Sequence, residues 1–243
     1  MSDYSQLEMV HRLPRAALVD RFEYLRGLCA GRRVVHVGFV DAGCQSLNEQ
    51  AGAWLHAHLA ASARELVGLD LDQAGVDDAR SRGYEAYVVD CRDADAIRAL
   101  QLAPADIVVA GEVIEHLDDP GSFLDGVHAL VAPGGLLVVT TPNASGFVNA
   151  IALLANYEVN HPDHVALYSC RTLDAMLTRH RWEPFEHRVF VQQVKTSGEV
   201  DGRARLLAVG ARAALGLERL LARMGRPYAC DGLIVAARAQ SSG

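Results

Sequence analysis

The sequence has little of what would place it in several large functional classes. Its five cysteines, Cys29, Cys44, Cys91, Cys170 and Cys230, are an odd, scattered set without any C-x-x-C. Neither a disulfide framework nor a zinc knuckle is indicated, and a reducing, cytoplasmic setting is expected. No apolar run approaches the roughly 18 residues of a membrane-spanning helix. The opening stretch MSDYSQLEMVHRLPR has no apolar core of signal-peptide length. Positive charge is scarce as well. A formal net charge of -7 argues against a general nucleic-acid or anionic-membrane surface. The G-x-G-x-x-G fingerprint is missing, which speaks against a nicotinamide-linked oxidoreductase. Internal repeats and low-complexity stretches are absent too.

What is there is a strongly patterned chain of 243 residues, 50% of them apolar, enough for one α/β domain with an extension and a sizeable core. The organising stretch is Ala105 to Asn143, ADIVVAGEVIEHLDDPGSFLDGVHALVAPGGLLVVTTPN. Ile107–Ala110 and Leu136–Thr140 are short apolar runs rich in β-branched residues, the pattern of strands buried on both faces of a parallel sheet. Between them a helix is expected, capped by Asp118 or Asp119, with Pro120 early and Phe123, Leu124, Val127 and Leu130 at helical spacing. Pro133, Gly134 and Gly135 end it.

Upstream, Leu18, Phe22, Leu25 and Leu28 form one helical stripe that ends at Gly31. Arg32–Phe39 is the first strand, and Ser46 with Glu49 gives a capping-box start to the next helix. His36 is expected to be a buried strand histidine. His56 and His58 are expected at the surface, and His128, His180 and His187 carry no pattern. Leu66–Leu71 is the second strand, followed by a helix Gln73–Arg82 capped by Asp72 and closed by Gly83. Tyr84–Val89 is the third strand, and Asp93 caps the short helix after it. Strands and helices alternate five times, which predicts a parallel sheet with a ligand crevice at the carboxyl ends of its strands. Beyond Asn143 an apolar stretch with Phe147, Val148, Ile151, Leu153, Leu154 and Tyr157 can line a pocket, attach to a membrane or form a homodimer contact. Phe185–Lys195 and Gly232–Ala237 are late strands, with a helix over Ala204–Met224 between them.

GEVIEHLDDPGSFL, VAPGGLLVVTTPN and the later P-D-H-V and S-x-x-T-L resemble the class I S-adenosylmethionine-dependent methyltransferases, most of all the ubiquinone-biosynthesis type of O-methyltransferase. The resemblance covers roughly Arg32 to Trp182. It implies a Rossmann-like, mostly parallel seven-stranded sheet whose last strand is antiparallel, with helices on both faces. It also implies S-adenosylmethionine as cofactor, an N-terminal helical cap over 1–31, a catalytic domain over 32–243, a lid at 144–168 and a helix at 203–225 between the last two strands. The cofactor residues carried over are Gly38, Phe39 and Val40 after the first strand, Asp70 and Leu71 at the ribose, Asp90 and Cys91 at the adenine edge, and Gly111 with Glu112. Cys91 reads equally as a small buried filler. The sequence departs from the family at His36, where an acid is expected, and at GFVDAG, where Gly38 survives and Gly43 can stand in for the second glycine of G-x-G.

Methyl transfer from a sulfonium is an in-line displacement, and a hydroxyl acceptor must also lose its proton. His116, with Glu115, is the candidate for proton removal, since imidazoles suit that task near neutral pH. Alternatively a divalent metal such as Mg²⁺ or Mn²⁺ activates the hydroxyl. Glu112, Glu115 and His116 are spaced to converge on one face of a helix start, and two carboxylates with an imidazole suit such ions. The E-x-x-E-H with a downstream D-H resembles the small-RNA 3′-end 2′-O-methyltransferases, which implies His164 as fourth ligand and His161 as a spare. Glu115 and His116 acting only as helix caps is the bland alternative. The leading expectation is a methyltransferase for a small-molecule hydroxyl. An RNA 3′ end is the second reading, disfavoured by the acidic charge, and a non-catalytic scaffold is the third, motivated by His36.

Overall fold

The structure is a computed structural model, and it describes residues 10–41, 52–154, 156–192 and 202–240. Its centre is one sheet of eight strands: β1 (Ala16–Leu18), β2 (Arg33–Val37), β3 (Glu65–Asp70), β4 (Glu85–Val88), β5 (Ala105–Gly111), β6 (Val131–Pro142), β7 (Trp182–Phe190) and β8 (Gly232–Ala239). The spatial order is β1-β7-β8-β6-β5-β2-β3-β4. Neighbours run parallel except where β8 pairs antiparallel with both β6 and β7. The expected mostly parallel sheet with a reversed last strand is therefore present, and β1 extends it at one edge.

Alternation along the central strands sends successive side chains to opposite faces. Val35, Val37, Val108, Ala110, Leu137 and Val139 face one layer, built from α4 (Ala94–Ala99), α5 (Pro120–Gly126) and α7 (Cys170–Arg179). Val34, Ile107, Val109 and Val138 face the other, where Leu25 and Cys29 of α1 (Arg21–Cys29) meet Leu55 and Leu59 of α2 (Leu55–Ala60). Burial on both faces explains why these strands read as unbroken apolar runs.

The expected caps form. Asp72 accepts from Ala74 N at the start of α3 (Gln73–Ser81), Asp93 from Asp95 N and Ala96 N, and Asp119 from Ser122 N with Pro120 in the first turn of α5. Ser169 and Thr172 make a reciprocal capping box on α7.

Several expectations shift. Leu18 lies in β1 beside Val189 of β7 and not on the α1 stripe, because the chain before Asp20 is extended and pairs with the sheet edge. His56 is fully buried and not at the surface: its ring stacks on His36 and lies among Phe39, Trp54 and Tyr84, so its face of α2 turns inward. Pro133-Gly134-Gly135 does not stop α5, which ends at Gly126 and passes through a 3-10 turn over Val127–Leu130 into β6. The triplet lies inside β6, where Gly134 takes φ +78 and the pairing register with β5 shifts between Ala105 and Ile107. The late strand begins at Trp182 and ends at Phe190. Gly43, Cys44, Ser46, Glu49 and Lys195 lie outside the described residues.

Segment 144–168 contains α6 (Phe147–Leu154), which packs against α8 (Gly202–Arg223), the helix between β7 and β8. Ile151, Leu153, Leu154 and Tyr157 are exposed, as are Leu217, Leu220 and Met224 further along. No helix of the described residues is long and apolar enough to cross a membrane.

Candidate functional site

A crevice of about 1020 Å³ opens at the carboxyl ends of β2, β3, β5 and β6, with Gly38, Val40, Asp70, Gly111, Glu112, His116 and Pro142 on its walls and Asn160 to His164 across it. A second cavity of about 470 Å³ adjoins it through shared Gly38, Asp41, Gly111, Glu112 and Gln192, and is closed by Arg21 and Phe22 of α1.

Gly38 turns the chain out of β2 at φ +66, and a Cβ there would lie 2.3 Å from Val113 Cγ2. Only glycine serves both needs, the left-handed backbone and the close approach. Asp70 ends β3. Its Oδ2 accepts from Val40 N at 2.9 Å and its Oδ1 from Asp72 N at 3.1 Å. These backbone N–H groups, with that of Leu71, fix the carboxylate at the strand end. Burial raises its pKa, opposed by those same N–H groups.

The carboxylates of G-E-V-I-E-H separate. Thr140 and Thr141 are neighbours on β6, so their hydroxyls point to opposite faces of the sheet. Thr140 Oγ1 donates to Glu112 Oε1 at 2.9 Å, and Thr141 Oγ1 donates to Glu115 Oε2 at 3.0 Å. Glu112, at φ +57, also accepts from Gln192 Nε2 at 3.2 Å and has Arg21 3.9 Å away. It belongs to the α1 side. Glu115 goes with His116 and His164, whose ligand atoms all lie within 4.8 Å of one another. The expected convergence of 112, 115 and 116 is thus a convergence of Glu115 and His116 with His164, while Glu112 is held elsewhere.

The segment carrying His164 is docked by backbone bonds, Val165 N and Ala166 N both donating to Glu115 O at 2.9 and 3.2 Å. His116 Nδ1 lies 3.2 Å from the Asp163 carbonyl, and His164 Nδ1 lies 2.6 Å from Asn160 Oδ1. Both partners are acceptors, so each Nδ1 donates and Nε2 is the ring nitrogen left to meet a ligand or take a proton. The His161 ring sits 6.1 Å from His116 and 5.4 Å from His164.

Glu115 is fully buried, and its Oε1 has no partner among the described residues. Burial first, then the Glu112 charge, push its pKa from 4.5 to about 8. The folded carboxyl therefore keeps a proton that the unfolded one has lost, and folding stability falls as pH rises through that window. Glu115→Gln, which cannot ionise, should remove that slope: in urea unfolding at stepped pH, the variant gains on wild type from pH 4.5 upward and the gap levels off above about 8. Parallel curves for the two proteins would show that the carboxyl is already ionised.

Other expected residues stand apart from the crevice. Phe39 is buried against Gly68 and His56, and Leu71 is exposed. Asp90 is held below the usual carboxylate range by hydrogen bonding to the Arg92 guanidinium, with contacts of 2.7 to 3.1 Å. The Cys91 thiol lies in the main core, pushed up to about 12 by burial. His36 is also buried, its Nδ1 3.2 Å from His56 Nδ1, and burial lowers both pKa values, so the pair is uncharged. Sequence reasoning missed Arg21, Gln192 and the two threonines. T-T-P-N carried a signal for the last, but nothing local signalled Arg21, whose buried Nε has no hydrogen-bond partner among the described residues and which lines the second cavity.

Comparison with known proteins matches this architecture. A probable S-adenosylmethionine-dependent methyltransferase from Mycolicibacterium smegmatis is 39% identical over 127 residues, 52% of this chain and 44% of that one. A ubiquinone biosynthesis O-methyltransferase from Bordetella avium is 33% identical over 142 residues, 57% of this chain and 54% of that one. The chain thus spans about half the length of the curated relatives it matches. A solved putative methyltransferase from Bacillus halodurans superposes with TM-score 0.52 at 14% identity, covering 91% of this chain and 99% of that one, a likeness of fold. The profile of a family described as "Methyltransferase domain" matches residues 17–185, a span that contains Arg21, Gly38, Asp70, the G-E-V-I-E-H turn and His164. With more than half of its length matched, the chain belongs to the methyltransferase-domain family.

Proposed function

We propose that this protein binds S-adenosylmethionine in the crevice and transfers its methyl group to a hydroxyl of a small-molecule acceptor. The observation that carries the reading is the placement of a backbone-fixed Asp70 and an Nδ1-anchored His116 on the walls of one crevice. At about 1020 Å³ it has the size of pockets that enclose drug-sized ligands. The Asp70 carboxylate, at the end of its strand, suits the two ribose hydroxyls as hydrogen-bond acceptor. The Arg21 guanidinium, beside the adjoining cavity, suits the carboxylate at the amino-acid end of the cofactor. Gly38 lets the backbone approach it.

When bound, the cofactor would supply an electrophilic methyl group that the acceptor oxygen displaces in line from sulfur. The hydroxyl proton passes to His116 Nε2. The site's main contribution is alignment and exclusion of water. The O-methyltransferases among the relatives support a hydroxyl acceptor.

A metal-assisted version is the second reading, favoured by the buried Glu115 Oε1, without a hydrogen-bond partner among the described residues, beside the His116 and His164 imidazoles. These residues fit a divalent ion, with Glu115, His116 and His164 as its protein ligands. The ion would lower the acceptor's pKa.

Calorimetric titration with S-adenosylmethionine, before and after chelator and with added Mg²⁺ or Mn²⁺, tests both. Micromolar binding that is independent of metal, with turnover in chelator, is expected of the base reading. Turnover only with metal selects the second. No cofactor binding under any condition overturns both and returns the scaffold alternative.

A further inference from the structure

Cys170, Asp174 and His187 form a second cluster whose ligand atoms all lie within 4.8 Å of one another, and none of the three lines the crevice or its adjoining cavity. Cys170 and Asp174 are four residues apart on α7 and share one helical face. His187 projects from β7 against them, its Nε2 2.9 and 3.0 Å from the two Asp174 oxygens. Cys170 and His187 are buried, whereas the Asp174 side chain is 28% exposed. Tyr228 Oη lies 3.4 Å from the Cys170 sulfur.

We propose that this cluster is a zinc site that pins α7 to β7. A thiolate, an imidazole and a carboxylate are the donor types Zn²⁺ prefers. A tetrahedral ion with bonds of about 2.0–2.3 Å sets its ligand atoms roughly 3.3–3.6 Å apart. The His187–Asp174 separations need only a few tenths of an ångström of opening to reach that spacing. Cys170 is the first residue of α7, so its sulfur lies at the helix end that meets β7 and Asp174. Binding displaces the thiol proton and the proton shared between His187 and Asp174. The exposed side of Asp174 gives the ion its entry path and a water its fourth position. The sequence showed no such site because its ligands lack a C-x-x-C spacing and meet only across a helix and a strand.

Cobalt reports sulfur ligation directly, which separates this site from the sulfur-free Glu115 cluster. The reduced 243-residue chain titrated with Co²⁺ should show a near-ultraviolet sulfur-to-cobalt band saturating at one equivalent and displaced by Zn²⁺. Cys170→Ser should abolish the band, and His187→Gln and Asp174→Asn, which keep the thiol, should weaken cobalt affinity at least about tenfold. Glu115→Gln and Cys44→Ser should leave it unchanged. Zinc should also raise the thermal midpoint of wild type but not of Asp174→Asn. Should Cys170→Ser fail to fold, the two thiol-retaining variants carry the test. No band in wild type, a band that persists in Cys170→Ser, or undiminished affinity in both thiol-retaining variants would show only a hydrogen-bonded Cys-Asp-His cluster and overturn the proposal.

Discussion

His116→Ala should lower kcat by roughly 10³-fold, within the range general-base removal produces, while the dissociation constant for S-adenosylmethionine stays within about twofold. The separation follows from geometry. His116 is anchored from behind by the Asp163 carbonyl, and its Nε2 is the atom left for the acceptor, whereas the ribose and backbone contacts lie with Asp70 and Gly38. Single-turnover methyl transfer with saturating cofactor reads the chemical step apart from binding. Matching losses in kcat and cofactor affinity would mean that His116 holds the cofactor or the fold. Restoration by millimolar Mn²⁺ would instead assign it to a metal.

Asp70→Ala should weaken cofactor binding by roughly 100-fold, since two hydrogen bonds to a charged acceptor contribute about 3 kcal/mol together. Part of that loss comes through the protein. Asp70 Oδ2 accepts the Val40 N–H, and removing the carboxylate frees the loop after Gly38 that the cofactor must meet. Asp70→Asn keeps an acceptor oxygen for one of its two backbone partners and should lie between wild type and alanine. Turnover at saturating cofactor should fall much less than affinity, because the acceptor side of the crevice is untouched. Calorimetry checks the first expectation and kcat at saturation the second. An Asp70→Ala protein with unaltered affinity would remove Asp70 from the ribose.

Local chemistry explains how much of this could be read without coordinates. The strands around Val35, Val108 and Val138 are legible because a sheet covered on both sides needs unbroken β-branched runs. The caps at Asp72, Asp93 and Asp119 are equally legible, since a cap bonds an amide only two or three residues away. Gly38 and Asp70 could be placed because both stand at strand ends, where the topology puts the crevice. His56 could not: a single helical turn presents polar residues inward or outward with the same sequence, and only packing against Phe39 and Tyr84 decided which.

The sequence alone therefore determined the alternating α/β order, the reversed last strand through family resemblance, and a crevice carrying Gly38, Asp70 and His116. Periodicity, capping and strand ends are short-range properties, and each is written within a few residues. Tertiary structure decided the rest: that Glu112 turns toward Arg21 while Glu115 joins His116 and His164, that β1 adds an edge strand, and that Cys170, Asp174 and His187 meet. Those outcomes depend on which face of β6 each threonine occupies and on how α7 lies across β7. Such facts belong to contacts between distant segments, for which no spacing in the chain is a signature.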